Sequence, residues 1–154
     1  MEGSINSLDD LDFQILGILI KDSRTPFLEI ARQCHVSGGT IHVRMKKMED
    51  IGVIKGTKLL VNNSKLGYDV CAFIGIYLDN TLSYESTIKG LKKIKEVVEL
   101  HYTTGEYSIF IKVICKTIED LQNLIMNKIQ RVGGIQRTNT FVSLVQLIDR
   151  NIEL

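Results

Sequence analysis

Along the first fifty residues the apolar positions recur at helical spacing. In NSLDDLDFQILGILIKD, Leu8, Leu11, Ile15, Ile18 and Leu19 form one stripe. Ser7 and Asp10 are spaced as a capping box, and the early acids Asp9, Asp10 and Asp12 suit the positive end of a helix dipole. TPFLEIARQC predicts a second helix, with Thr25 as cap, Pro26 at the first helical position, and Phe27, Ile30, Ala31 and Cys34 facing inward. Ser37 then caps a third helix in VSGGTIHVRMKKMEDIGVIKG, which has Gly38 and Gly39 in its first turn and stops at Gly52. Ile41, Met45 and Met48 mark its core side. Gly39, Thr40, His42, Val43, Lys46 and Lys47 make a side suited to approach a partner. Three short helices, the last two joined by a tight turn, predict a helix-turn-helix unit. The following VIKGTKLLV, two extended runs about a glycine, predicts a hairpin wing.

The polar stretch NNSKLGYD carries no stripe and marks a boundary, after which the period changes. VCAFIGIYL reads as a strand, YESTIKGLKKIKE as a helix, VVELHYTT and YSIFIKVIC as strands, TIEDLQNLIMNKIQRV as a helix and IQRTNTFVSLVQL as a last strand. The order βαββαβ is the ferredoxin-like split motif. The expectation is therefore an α+β chain: a winged helix-turn-helix domain over 1–61, a linker over 62–69 and a ferredoxin-like domain over 70–154. In YSIFIKVIC, Tyr107, Ile109, Ile111 and Val113 should face one way and Phe110 and Ile114 the other. Two helices cover only one face of such a sheet, so the second apolar face predicts a partner, most simply another copy of the chain.

Composition changes this picture little. With 44% hydrophobic and 24% charged residues the 154-residue chain is globular, and no apolar run reaches the ~20 residues needed to cross a bilayer. The first fifteen residues carry acids and no Lys or Arg, unlike a secretory signal, so the expected location is the cytoplasm. Cys34, Cys71 and Cys115 are odd in number and widely spaced, which argues against a disulfide framework or a zinc site. Net charge is +1, and residues 1–60 hold eight basic against eight acidic side chains. Any affinity for nucleic acid must then come from local clustering and from repetition across subunits.

A winged helix-turn-helix followed by βαββαβ resembles the Lrp/AsnC family of transcription regulators. The motifs carrying the resemblance are LDDLDFQIL, SRTPFLEIA, the third-helix stretch quoted above, LGYDV, YTTGEYSIFIKV and IQRTNT. GTIHVR, LGYDV, FIGI and the TTG-YSIFIKV pattern are more similar to the asparagine-responsive branch than to the leucine-responsive one. The resemblance implies a DNA-binding regulator, not an enzyme, that has no cofactor and is modulated by a small amino acid, here L-asparagine. It also implies a homodimer built sheet face to sheet face that joins into a larger ring, an octamer.

By position, the third helix would enter the major groove of double-stranded DNA. Its N-terminal amides with Gly38 and Gly39 would lie near a phosphate. Thr40 and Val43 would meet a thymine methyl, and His42, Lys46 and Lys47 would donate to base or phosphate. Lys55 and Lys58 would contact the backbone from the wing. Arg44 has two readings, a DNA contact or the partner of an acid on the first helix such as Asp10 or Asp12. In the second domain the resemblance places the effector at Leu100, His101, Tyr102, Thr103, Thr104, Gly105, Glu106 and Ser108. Ile135, Gln136, Arg137, Thr138 and Asn139 would complete it across a contact between dimers. Ser108 stands where many relatives carry an aspartate for the ligand's ammonium, which leaves that role to Glu106 or to backbone carbonyls.

Two rival functions come from other classes. Some relatives decarboxylate a haem precursor, but His35, His42 and His101 are the only histidines and no GxSxG, HExxH or P-loop is present. A sensing or protein-interaction module without DNA readout would suit the near-neutral charge and fits poorly with Lys46, Lys47, Lys55 and Lys58 clustered near one helix.

Overall fold

A computed structural model describes residues 7–80 and 83–154; the first six residues of the expected first domain lie outside the described residues. The chain divides into two compact units, one ending at Leu60 and including Ile148–Leu154, the other spanning Val61–Leu147. The last seven residues thus group with the first unit, where the sequence reading had run the second domain to the C-terminus.

In the first unit α1 is Asp10–Lys21, α2 Phe27–Gln33 and α3 Gly38–Asp50. The capping box of α1 is set two residues later than Ser7 and Asp10. The Asp9 carboxylate accepts from the Asp12 amide (3.1 Å) and the Asp12 carboxylate from the Asp9 amide (3.2 Å). Pro26 occupies the cap position of α2, one residue before the expected place, and Thr25 instead donates its hydroxyl to the Asp22 carbonyl. Both later helices end in Schellman motifs, whose C-terminal carbonyls are taken up by the next residues' amides. After α3, Gly52 (φ 75°) supplies the left-handed residue, with Val53 N–H on the Met48 carbonyl (2.9 Å). After α2, His35 does so at φ 55°, with Val36 N–H on the Ala31 carbonyl (2.9 Å). Ile15, Ile30, Ala31, Ile41 and Met48 form the buried core of this unit.

Residues 54–61, the segment expected to form the wing, contain no strand within this chain, and residues 55–61 are exposed.

The second unit has strands β1 (Val70–Leu78), β2 (Val97–Tyr102), β3 (Ile109–Cys115) and β4 (Ile135–Ser143), with helices α4 (Tyr84–Leu91) and α5 (Ile118–Leu124). The sheet runs β2-β3-β1-β4 and every neighbouring pair is antiparallel. Ala72, Ile74, Ile76, Ile109, Ile111 and Val113 are fully buried, in one cluster with Leu91, Leu121, Leu124 and Ile129 of the helical layer. The helix predicted over TIEDLQNLIMNKIQRV is interrupted. After α5 a π-turn, Ile125–Ile129, changes the phase by about one residue, so that Ile129 joins Leu121 and Leu124 in the core.

Cys71, Phe73, Tyr77, Phe110, Lys112, Ile114 and Phe141 lie on the opposite face, in register across β1, β3 and β4. Tyr107 belongs to this face, against the expectation that it pairs with Ile109. It precedes β3, and its ring covers Gly75, where an added Cβ would stand 2.5 Å from the ring. Phe110 and Phe141 flank the same ring.

Candidate functional sites: a helix surface and a strand-end cluster

The α3 surface is assembled from its cap outward. Ser37 Oγ accepts from the Thr40 amide (3.1 Å) and shares a hydrogen bond with the Thr40 hydroxyl (2.9 Å). This leaves the first-turn amides of Gly38 and Gly39 at the open end of the helix. Leu28 of α2 covers Gly38, since a Cβ there would lie 3.3 Å from a Leu28 methyl. His42 rests edge-on against Phe27, with ring centroids 4.7 Å apart. Val43 is 69% exposed and Lys46 is exposed, with no carboxylate in ion-pair range among the described residues.

Arg44 and Lys47 point elsewhere. Arg44 donates to Asp9 (2.5 Å) and reaches Asp12 at 3.4 Å, an ion pair with the first helix as in the second of its two readings, with Asp9, not Asp10, beside Asp12. Lys47 corrects the sequence reading: its ammonium is bound by Asp12 (2.9 Å) and by the Ser7 carbonyl, not turned outward. Asp12 is wholly buried and anchors both cations. The Arg44 hydrogen bond holds the Asp9 carboxyl below its ordinary range, and Asp9 in turn raises Arg44. The cluster is close to neutral, so the outward positive charge near α3 comes from Lys46. Lys55 and Lys58 are exposed on the segment that follows α3, which contains no strand within this chain. Sequence reasoning named Asp12 as a partner for Arg44 but missed Asp9, the bond from Asp12 to Lys47, and Leu28, an exposed leucine (74%) beside the start of α3. A signal for Asp12 was present, since it stands between Leu11 and Ile15 at the edge of the apolar stripe.

In the second unit the expected effector residues divide between the two faces of the sheet. Thr103 closes the β2–β3 connection: its amide donates to the Ser108 carbonyl (3.1 Å) and its hydroxyl to the Tyr107 carbonyl (2.5 Å), with Gly105 at φ 105°. Thr104 and Gly105 are exposed at its tip. On the helix side Tyr102 meets Tyr84 edge-on at 4.6 Å. A cavity of about 400 Å³ opens between Leu78, Asn80, Tyr84, Tyr102 and Ser108. Leu100 and Ile135 pack on the core instead of lining it. Thr138 pairs with Ile76 on the same side, and Gln136 is exposed at a β-bulge.

On the opposite face the Tyr77 hydroxyl donates to Glu106, and the Arg137 guanidinium lies 3.8 Å from the Tyr77 ring centroid. The Glu106 bond pushes Tyr77 up to about 12. Asn139 donates to the Tyr107 hydroxyl (3.3 Å), and His101 stands 3.7 Å from Glu99. Glu106, His101, Arg137 and Asn139 therefore share the face away from Tyr102, with His101 on edge strand β2 and Arg137 and Asn139 on the opposite edge strand β4. Glu106 is engaged by Tyr77, and Asn80 Oδ1 accepts from the Ser83 amide (3.0 Å), so Ser108 is the polar side chain of the strand connection that lines the cavity. Tyr84 and Asn80 were not singled out in the sequence. They lie 18 and 22 residues before the YTTGEYS motif and meet it only in the folded chain, at the start of α4 and just before it.

The start of β4 is pinned from α4. The buried Thr87 hydroxyl donates to the Gly133 carbonyl (2.8 Å), and Gly134, at φ 86°, leaves no room for a Cβ, which would stand 2.4 Å from Ser83. No helix is long and apolar enough to cross a membrane, and no group of three metal-ligating side chains occurs among the described residues.

Residues 8–55 match the family described as winged helix-turn-helix DNA-binding, and residues 71–152 match the Lrp/AsnC ligand binding domain. The chain is 50% identical to the regulatory protein AsnC of Haemophilus influenzae over 149 residues, which is 97% of this chain and 99% of that protein. It is 47% identical to the regulatory protein AsnC of Escherichia coli K12 over 146 residues, 95% of this chain and 96% of that protein. A solved structure of Escherichia coli AsnC superposes with a TM-score of 0.90 at 46% identity, covering 96% of this chain and 99% of that one.

Proposed function

Because the chain belongs to the Lrp/AsnC family, and is as such a DNA-binding transcription regulator with an amino-acid effector domain, we propose that its effector is L-asparagine and that α3 reads the major groove with Gly39, Thr40, His42, Val43 and Lys46. The observation that carries the DNA reading is the division of cations on α3. Arg44 and Lys47 are held by Asp9 and Asp12, while Lys46 has no carboxylate in ion-pair range among the described residues and Val43 is exposed. A lysine and a small apolar side chain on the exposed side of α3 suit phosphate and thymine-methyl contact. Lys55 and Lys58 add backbone contacts from the extended segment.

Asparagine is supported by the character of the cavity at Tyr102. An amino acid with a carboxamide side chain needs donors and acceptors close together, and the hydroxyls of Ser108, Tyr84 and Tyr102 offer them around about 400 Å³. The Gly133–Asn139 stretch would complete the site from a neighbouring dimer. The active form is a homodimer through the open sheet face, joined with others into a ring of octamer size and acting in the cytoplasm. Binding of the amino acid changes DNA affinity by the difference between its affinities for the two arrangements it links.

Calorimetric titration of the purified protein with asparagine, glutamine, aspartate and leucine tests the effector assignment. Asparagine should give a saturable heat that Tyr102→Ala and Ser108→Ala each weaken. Saturable heat with leucine alone, or none with asparagine, would contradict it.

A further inference from the structure

A larger cavity, of about 580 Å³, lies in the second unit at the opposite ends of β2 and β3 from the YTTGEYS connection. Its wall includes a short 3₁₀ turn, Ser64–Leu66, that precedes β1. This turn is well defined locally: Asn62 Oδ1 accepts from the Lys65 amide (3.1 Å) and the Asn63 carbonyl accepts from Tyr68 (3.0 Å). It presents Leu66 and Tyr68 toward Val98 of β2 and Leu124 of α5 around the same space. Leu66 is 61% exposed, Val98 46% and Tyr68 41%. Leu66, Tyr68 and Val98 thus line an open concavity without burying one another, over the buried Leu124, which is the usual make-up of a small-molecule site.

The charges around it are unequally satisfied. Lys128 is bound to Glu96 (2.7 Å), so that pair is internally neutral, and the second Glu96 oxygen is buried out of reach of solvent. The Asp120 carboxylate caps α5 by accepting from the Thr117 amide (3.2 Å). Lys95 and Lys116 line the same cavity with no carboxylate in ion-pair range among the described residues. The Lys116 ammonium is held 5.6 Å from the Tyr68 ring centroid. What the cavity offers a ligand is therefore a partly apolar wall with an excess of positive charge, Lys95, Lys116 and Lys128 against Glu96 and Asp120.

The geometry points to a binding site for a small organic acid, a carboxylate on a branched aliphatic body, separate from the effector segment at Tyr102–Ser108. The carboxylate meets Lys95 and Lys116, and the body lies on Leu66, Tyr68, Val98 and Leu124. Because Leu66 and Tyr68 belong to the segment that enters the second unit, an occupant ties that segment to α5 and β2. This gives the protein a second chemical input, distinct from its amino-acid effector.

Three molecules with one body and different head groups test this: 3-methylbutanoate, 3-methylbutan-1-amine and 3-methylbutan-1-ol, with inorganic phosphate as the bare anion. Saturation-transfer NMR on the full chain should show 3-methylbutanoate binding at least about tenfold more tightly than the amine, the alcohol or phosphate. A Lys95→Gln/Lys116→Gln variant with unchanged circular dichroism should lose that binding. In the native protein the acid should shift amide resonances of residues 64–68, 95–98 and 114–124. The proposal is overturned if the amine, the alcohol or phosphate matches the acid, or if the acid does not bind. It is equally overturned if the double variant binds the acid as well as the native chain, or if the shifts fall at residues 102–108 and 135–139.

Discussion

Asp12 shows how one side chain fixes what its neighbours can do. Wholly buried, it accepts from the Asp9 amide and binds the cations of Arg44 and Lys47, so two of the basic residues on α3 orient the helix and do not reach outward. Asp12→Asn leaves those cations facing a neutral amide in a buried site, at a cost of about 3 kcal/mol. Urea denaturation followed by the amide signals of residues 10–21 should show that loss, and an unchanged midpoint would refute the anchoring role. Asp9 adds a pH dependence of known sign. Its folded-state value lies below the ordinary 3.8, so its pairing with Arg44 stabilises the first unit above that value and is lost as pH falls through the lowered one. Acid titration of Arg44→Met, followed by the same signals, should show a shallower loss below about pH 4 than the native chain. His35 offers the opposite experiment. A non-glycine residue at φ 55° in the Schellman position after α2 is strained, so His35→Gly should stabilise the unit by about 0.5–1 kcal/mol in the same denaturation.

Among the elements, those with a clear period or cap were legible before the structure. Ser37 caps α3 and Gly52 ends it as read, and β1 spans the nine residues of VCAFIGIYL. What escaped the sequence depends on contacts far along the chain. The alternation of YSIFIKVIC puts Tyr107 with Ile109, but the strand starts at Ile109, and the bare backbone of Gly75 on β1 draws the Tyr107 ring to the other face. Lys47 looked outward because helical spacing alone does not reveal a buried carboxylate on α1. The effector list split between two faces because residues adjacent in YTTGEYS and GIQRTN alternate sides along β2 and β4, while Asn80 and Tyr84 join the cavity from just before α4 and from its start. Gly75→Ala should force the Tyr107 ring away and destabilise the second unit by about 1–3 kcal/mol. In a Tyr107→Ala background the same change should cost little, because the clash is then absent. Additive losses in thermal denaturation would show that the ring does not depend on Gly75.

For the whole molecule, the account rests on repetition. A single chain carries net charge +1, so affinity for DNA must be multiplied by assembly, with half-sites about 34–36 Å apart or multiples of that. The open sheet face carrying Phe73, Tyr107, Phe110, Ile114 and Phe141 is the surface on which a second copy is expected to pack. Phe110→Glu places a charge among those rings, so light scattering after size exclusion should give a monomer mass; an unchanged oligomer would move the interface elsewhere. The most direct test of the central claim is DNA binding by the native chain. Fluorescence anisotropy on duplexes selected from a random pool should be read at two salt concentrations, with and without asparagine, beside Lys46→Glu. The account predicts binding that weakens steeply with salt, an affinity that asparagine changes and leucine does not, and a Lys46→Glu variant that folds normally but loses most of its affinity. Selection of no duplex at low salt by a well-folded oligomer, or full affinity in Lys46→Glu, would contradict it.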